Sequence, residues 1–108
     1  MNNIQNYTVI KHEKDRLDSA CASDFQKNVY SQVSSSHKTI ILDLAKVTFI
    51  DSSGLGALVA VLKQLPSDGK LLLCGVGHNV FYLLRLTRMD NIFTLYPDLD
   101  SAVQTMNL

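Results

Sequence analysis

Two short runs of almost wholly apolar residues, TIILDLAKV at 39–47 and KLLLCGV at 70–76, constrain the fold of this chain more than any other feature. Both are too dense for a strand with one wet face and too short for a membrane span, so each reads as a strand covered on both sides. In the first, Ile40, Leu42 and Leu44 share one face and Ile41 takes the other. Between the two runs the period changes. Leu55, Leu58, Val59, Leu62 and Leu65 recur at i, i+3, i+4, i+7 and i+10, a helical stripe able to face a sheet, and Pro66-Ser67-Asp68-Gly69 ends it with turn chemistry. Strand, helix, strand in that order implies a crossover connection and a largely parallel sheet.

The rest of the chain fits the same scheme. YTVIKHE at 7–13 reads as a first strand, and KDRLD as a turn with a very short second strand that pairs antiparallel at the start of the chain. Asp18 or Ser19 can cap a helix carrying Ala22, Phe25, Val29 and Val33, which SSSHK at 34–38 ends. Val80 to Met89 forms a helix with Val80, Leu83, Leu84 and Thr87 inward, IFTLY at 92–96 a last strand, and Asp98 caps a final helix with Leu99, Ala102, Val103 and Met106. Phe81, Tyr82 and Leu86 exceed what that third helix can bury on one stripe. They belong either to packing against neighbouring elements or to a partner surface. The fold class is α/β: one small domain over 1–108, its core over about 7–106, with a mostly parallel central sheet of about four to five strands and about four helices.

Composition narrows the function. With 10 basic and 10 acidic residues the formal net charge is zero, which argues against a nucleic-acid partner. No stretch has the length of a membrane span, and MNNIQNYTV lacks the basic start and apolar middle of a signal peptide, so a cytoplasmic protein is expected. Cys21 and Cys74, and His12, His37 and His78, fall in no ligand spacing, so neither metal nor cofactor is expected. Cys74 reads as a small buried hydrophobe and Cys21 as partly exposed, with the histidines at the surface or at loop ends.

The segment FIDSSGLGAL at 49–58 breaks an apolar run with an aspartate and two serines. In one reading Asp51 or Ser52 is simply the N-cap of the following helix and Gly54 relaxes the backbone there. In the other, a serine beyond the carboxyl end of a strand is exposed beside free helix N–H groups, a place suited to a covalently attached phosphate carrying about −1.5 to −2 charges. The helix face formed by Ala57, Ala60, Val61 and Gln64, with Ser53, would offer a smooth surface for a partner. A nucleophilic serine is the weaker alternative: no G-x-S-x-G elbow is present, no histidine stands in a recognisable relation to it, and there is no phosphate-binding glycine loop.

The run IILDLAKVTFIDSSGLGALV closely resembles the centre of the STAS domain of bacterial anti-sigma-factor antagonists. GKLLLCGV and NVFYLLRLTRMDNIFTLYPDLDSAV are similar to that family's following strand, helix, strand and capped helix. The resemblance implies a non-enzymatic binding module. In the family, the serine after the aspartate is phosphorylated by an anti-sigma factor that is also a serine kinase, and a PP2C-type phosphatase reverses the modification. The unphosphorylated form binds the anti-sigma factor and so releases a sigma factor. Carried over, Ser52 is the phosphorylated residue, Asp51, Ser53, Gly54 and Gly56 support the switch loop, and the free protein is expected to be a monomer. A constitutive STAS subunit of an assembly such as a lipid-transport complex, unphosphorylated, is the other implication. Two departures stand out: KHEKDRLD lacks the family's glycine between the first strands, and Arg88 replaces a glycine after the third helix, so a different local turn is expected there.

Overall fold

The structure is a computed structural model and describes residues 6–33 and 37–106. In chain order the elements are β1 (Tyr7–Lys11), β2 (Arg16–Leu17), α1 (Ala22–Gln32), β3 (Thr39–Asp43), β4 (Phe49–Ile50), α2 (Ser52–Gln64), β5 (Lys70–Cys74), α3 (His78–Leu86), a 3₁₀ turn (Met89–Asn91), β6 (Thr94–Tyr96) and α4 (Leu99–Met106). The main sheet has the order β1-β3-β5-β6, parallel throughout, with Ile40 opposite Leu71 and Leu42 opposite Leu73.

Strand order follows chain order without a reversal. Right-handed crossovers then place every connecting helix on one face of the sheet. The core divides in that way. Ile40, Leu42, Leu71 and Leu73 pack with Phe25 and Val29 of α1, Ala57, Leu58 and Val61 of α2, and Val80 and Leu84 of α3. Ile41, Leu72 and Cys74 point the other way and are covered by α4 through Ala102, with Leu99, Val103 and Met106 around it. A parallel sheet needs cover on both sides, and the short capped α4 supplies the second. Its cap is Asp98, whose Oδ1 accepts from Ser101 N at 2.8 Å. Burial pushes the Cys74 thiol up to about 11, aided by Asp43 and Asp98, so it stays protonated near neutral pH.

Five expectations about local structure need correction. β2 does not fold back on β1. It continues past a bend and pairs with β4, parallel, Arg16 opposite Phe49 and Leu17 opposite Ile50, so no described strand pair is antiparallel. The Asp15 carbonyl, which accepts from Thr48 N at 2.8 Å and Phe49 N at 3.3 Å, holds this second ribbon together. Neither Asp18 nor Ser19 is the N-cap of α1; Cys21 is, and Asp18 instead closes the preceding turn, its carbonyl accepting from Ala22 N at 2.8 Å. Cys21 is buried in the core, since that turn folds it inward. α1 ends at Gln32 with Val33 as C-cap, and residues 34–36 of the expected terminator lie outside the described residues. Thr87 is exposed rather than inward; its hydroxyl donates to the Leu83 carbonyl at 2.9 Å and closes α3.

The turn after α3 is the fifth. Arg88 itself adopts the left-handed conformation, φ 60° and ψ 21°, so the turn shape suited to glycine is kept with a side chain in it. A β-carbon in this region is strained by about 1 kcal/mol. Arg88→Gly removes that strain but costs about 0.5–1 kcal/mol of chain entropy, so a net gain of at most about 0.5 kcal/mol and a slightly raised thermal midpoint are expected. Thermal unfolding of the two proteins side by side checks it, and a lower midpoint in the glycine variant would contradict it.

Candidate functional site

The β2–β4 ribbon is the platform on which α2 begins. Its two-residue strands alternate as strands must: Leu17 and Ile50 point into the core, Arg16 and Phe49 outward. The outward pair is not idle. The Arg16 guanidinium lies 4.1 Å from the centre of the Phe49 ring, and its Nε donates to Asp18 Oδ2 at 2.9 Å. That bond holds the Asp18 carboxyl below its usual range. His12 Nε2 lies 2.7 Å from the Arg16 carbonyl, so Nε2 carries the proton it donates. Its ring meets Phe25 edge-on at 5.6 Å.

Asp51 follows Ile50 in extended conformation and is the N-cap of α2. Both of its carboxylate oxygens are engaged. Oδ1 accepts from Gly54 N at 2.9 Å, the cap bond, and Oδ2 accepts from Ser19 N at 3.2 Å, a tie to the loop that leads into α1. An amide in place of the carboxylate can keep the first bond but presents a donor to a donor at the second. Asp51→Asn is expected to keep the fold and lose about 1 kcal/mol in urea unfolding. Loss of nothing would mean that the tie to Ser19 carries no weight.

Gly54 is where the platform and the helix meet. A β-carbon there would fall on the Leu17 carbonyl oxygen and within 2.7 Å of Ile50 Cγ1. Only glycine permits this approach. Gly56, two residues on, has open space where its β-carbon would stand. Ser52 and Ser53 are both exposed, and no hydrogen bond of the Ser52 hydroxyl is present among the described residues. At 100° per residue Ser52, Gly56 and Lys63 line the outermost strip of α2.

The helix does not face the sheet with the expected leucine stripe. Its buried residues are Gly54, Ala57, Leu58 and Val61, while Leu55, Val59, Leu62 and Leu65 are half-buried flanks. The true inner face is turned by about one residue step, or about 100°. Gly54 lets the start of the helix sit close upon the ribbon, and α1 packs along α2. It follows that Ala57 (1% exposed) and Val61 (0%) cannot form a partner surface. Of that group Gln64 is exposed and Ala60 half-buried. The sequence reasoning missed Arg16 and Ser19, which come to the DSSG segment and its Phe49 lead-in from a part of the chain about 30 residues away; no local pattern marks them.

A STAS domain model matches residues 2–102. The chain belongs to the STAS domain family. Its relatives include BtrV of Bordetella bronchiseptica, a candidate anti-sigma factor antagonist, at 28% identity over 87 residues, which are 80% of this chain and 75% of that protein. A candidate antagonist of Thermotoga maritima is 32% identical over 82 residues, covering 74% of this chain and 73% of its own. Among solved structures, the phosphorylated form of the Bacillus cell fate determinant SpoIIAA superposes with a TM-score of 0.70 at 17% identity, over 97% of this STAS chain and 96% of its own. A sulfate transporter family protein of Wolinella succinogenes superposes with a TM-score of 0.80 at 21% identity, over 93% of this chain and 84% of its own. These last two likenesses show the fold alone. Among the described residues no helix is long and apolar enough to cross a membrane, and no group of three or more His, Cys, Asp or Glu side chains could hold a metal.

Proposed function

We propose that this STAS protein is an anti-sigma factor antagonist switched by phosphorylation of Ser52. The observation that carries the reading is the pairing of an exposed, unengaged Ser52 hydroxyl with a rigid seat beneath it: Asp51 bonded twice, and Gly54 pressed on Leu17. A phosphoryl group added there would stand at the surface beside acidic groups. Asp51 is its neighbour in the chain, Asp51 is tied to Ser19, and Asp18 stands in the same loop with its charge already taken up by Arg16. The added charge therefore stays on the surface, where it alters what the α2 face can bind. The occupant of that face is the anti-sigma factor, which acts as the serine kinase; a PP2C-type phosphatase removes the phosphate. Both encounters take place in the cytoplasm, with the free antagonist a monomer. The relatives' names and the existence of a phosphorylated form of SpoIIAA support this reading.

The test is the intact mass of the protein from its native cells, before and after phosphatase, with peptide mapping. A phosphatase-sensitive gain of about 80 Da on Ser52 is expected. Phosphate on Ser53 instead would reassign the site. Its absence in every growth condition would favour a constitutive STAS subunit, in which DSSG is a helix start only.

A further inference from the structure

We infer that the outer face of α3 is a second docking surface, built for an acidic, amphipathic segment of another protein. Of the five exposed large hydrophobic residues among those described, four lie on or just after this helix: Phe81 (38% exposed), Tyr82 (65%), Leu86 (62%) and Ile92 (46%). The expectation that the first three pack against neighbouring elements does not hold, because α3 already fills its inner face with Val80 and Leu84. At 100° per residue Phe81, Arg85, Tyr82 and Leu86 follow one another around an arc of about 140° on the outside. A depression is lined by Tyr82, Arg85 and Leu86. A contiguous apolar patch of this kind on a small soluble domain marks an interaction site.

Charge identifies the occupant. Arg85 stands in the middle of the arc, its guanidinium carbon 6.0 Å from the Phe81 ring centre, and Arg88 follows at the helix end. Neither arginine is in an ion pair among the described residues. From His78 to Ile92 the chain carries Arg85 and Arg88 against Asp90 alone, a local basic excess in a chain of zero formal net charge. The complement is an apolar side chain seated between Tyr82 and Leu86 with a carboxylate on Arg85. A second copy is a poor match, since a two-fold interface would bring the same arginines towards each other. An anionic membrane is a poor match too, because such surfaces are read by clusters of about four to eight basic residues. The inference does not depend on Ser52 or on its modification.

The test titrates the whole protein, followed by heteronuclear NMR, with a short synthetic peptide alternating glutamate with leucine and phenylalanine. The control peptide carries glutamine for glutamate. Saturable shifts confined to residues 78–92 are expected, weakened about tenfold or more by Arg85→Glu and by the glutamine peptide. Tyr82→Ala, at a mostly exposed position, should weaken binding with little change in the thermal midpoint. No saturable shift, or shifts centred on α2, would overturn the proposal. So would self-association in sedimentation that Tyr82→Ala abolishes, or co-sedimentation with phosphatidylglycerol vesicles that Arg85→Glu abolishes.

Discussion

Replacing Gly54 by alanine is expected to cost about 3 kcal/mol or more, against a total stability of about 5–15 kcal/mol for a domain of ordinary size. The obstacle is not a flexible side chain that can swing away but the Leu17 carbonyl, a backbone atom of the β2–β4 ribbon, with Ile50 Cγ1 just behind it. Accommodating even one methyl group means lifting α2 off its seat. That would strain the Asp51 cap bond to Gly54 and open the contacts of Ala57 and Leu58, both buried. For a chain near 100 residues such a loss lowers the thermal midpoint by about 10–20 °C. Gly56→Ala is the matched comparison. It adds the same methyl group to the same helix in open space, so only helix propensity changes, and stability should rise by up to about 1 kcal/mol. Thermal unfolding of both variants decides the matter. A Gly54→Ala protein that melts with the wild type would mean that the close approach is not a constraint.

Ser52→Asp should weaken binding of the anti-sigma factor by about a hundredfold, because a charge set against an interface that accepts a neutral hydroxyl costs several kcal/mol, and each 1.4 kcal/mol is a factor of ten. Ser52→Ala should bind like the wild type and take up no phosphate. The fold tolerates both changes: the cap of α2 is Asp51 rather than Ser52, so no cap is lost and the effect on stability stays within about 0.5 kcal/mol. Ser53→Asp is the control, since Ser53 is equally exposed but lies about 100° around the helix. Affinities measured by titration calorimetry with the purified partner would separate the three. If Ser53→Asp abolishes binding and Ser52→Asp does not, the switch is Ser53.

Much of this was present in local periodicity. The runs at 39–43 and 70–74 could only be covered strands, and alternation with helical segments left a parallel sheet as the one economical topology. Face assignments within β3 held because alternation in a strand has period two and admits no intermediate answer. The helices were less legible. On α2 a leucine-rich stripe and a stripe of Gly54, Ala57 and Val61 both have helical spacing. Hydrophobicity favours the first, but packing between elements, with Gly54 pressed on the ribbon and α1 alongside, selected the second. The candidate site divides in the same manner. Asp51, Ser52, Ser53, Gly54 and Gly56 are adjacent in the chain, so the segment was visible as a unit.

The sequence by itself determined the α/β class, the order of strands and helices, and the location of the DSSG segment at the start of α2, because all three rest on patterns a few residues long. The tertiary structure alone decided that β2 pairs with β4, that Gly54 is held by Leu17 while Gly56 is free, and that Ala57 and Val61 are core. It also decided that Phe81, Tyr82 and Leu86 face outward. The physical reason is common to these: each depends on how near one backbone comes to another, a distance set by packing between segments about 30 residues or more apart and carried by no single stretch of chain.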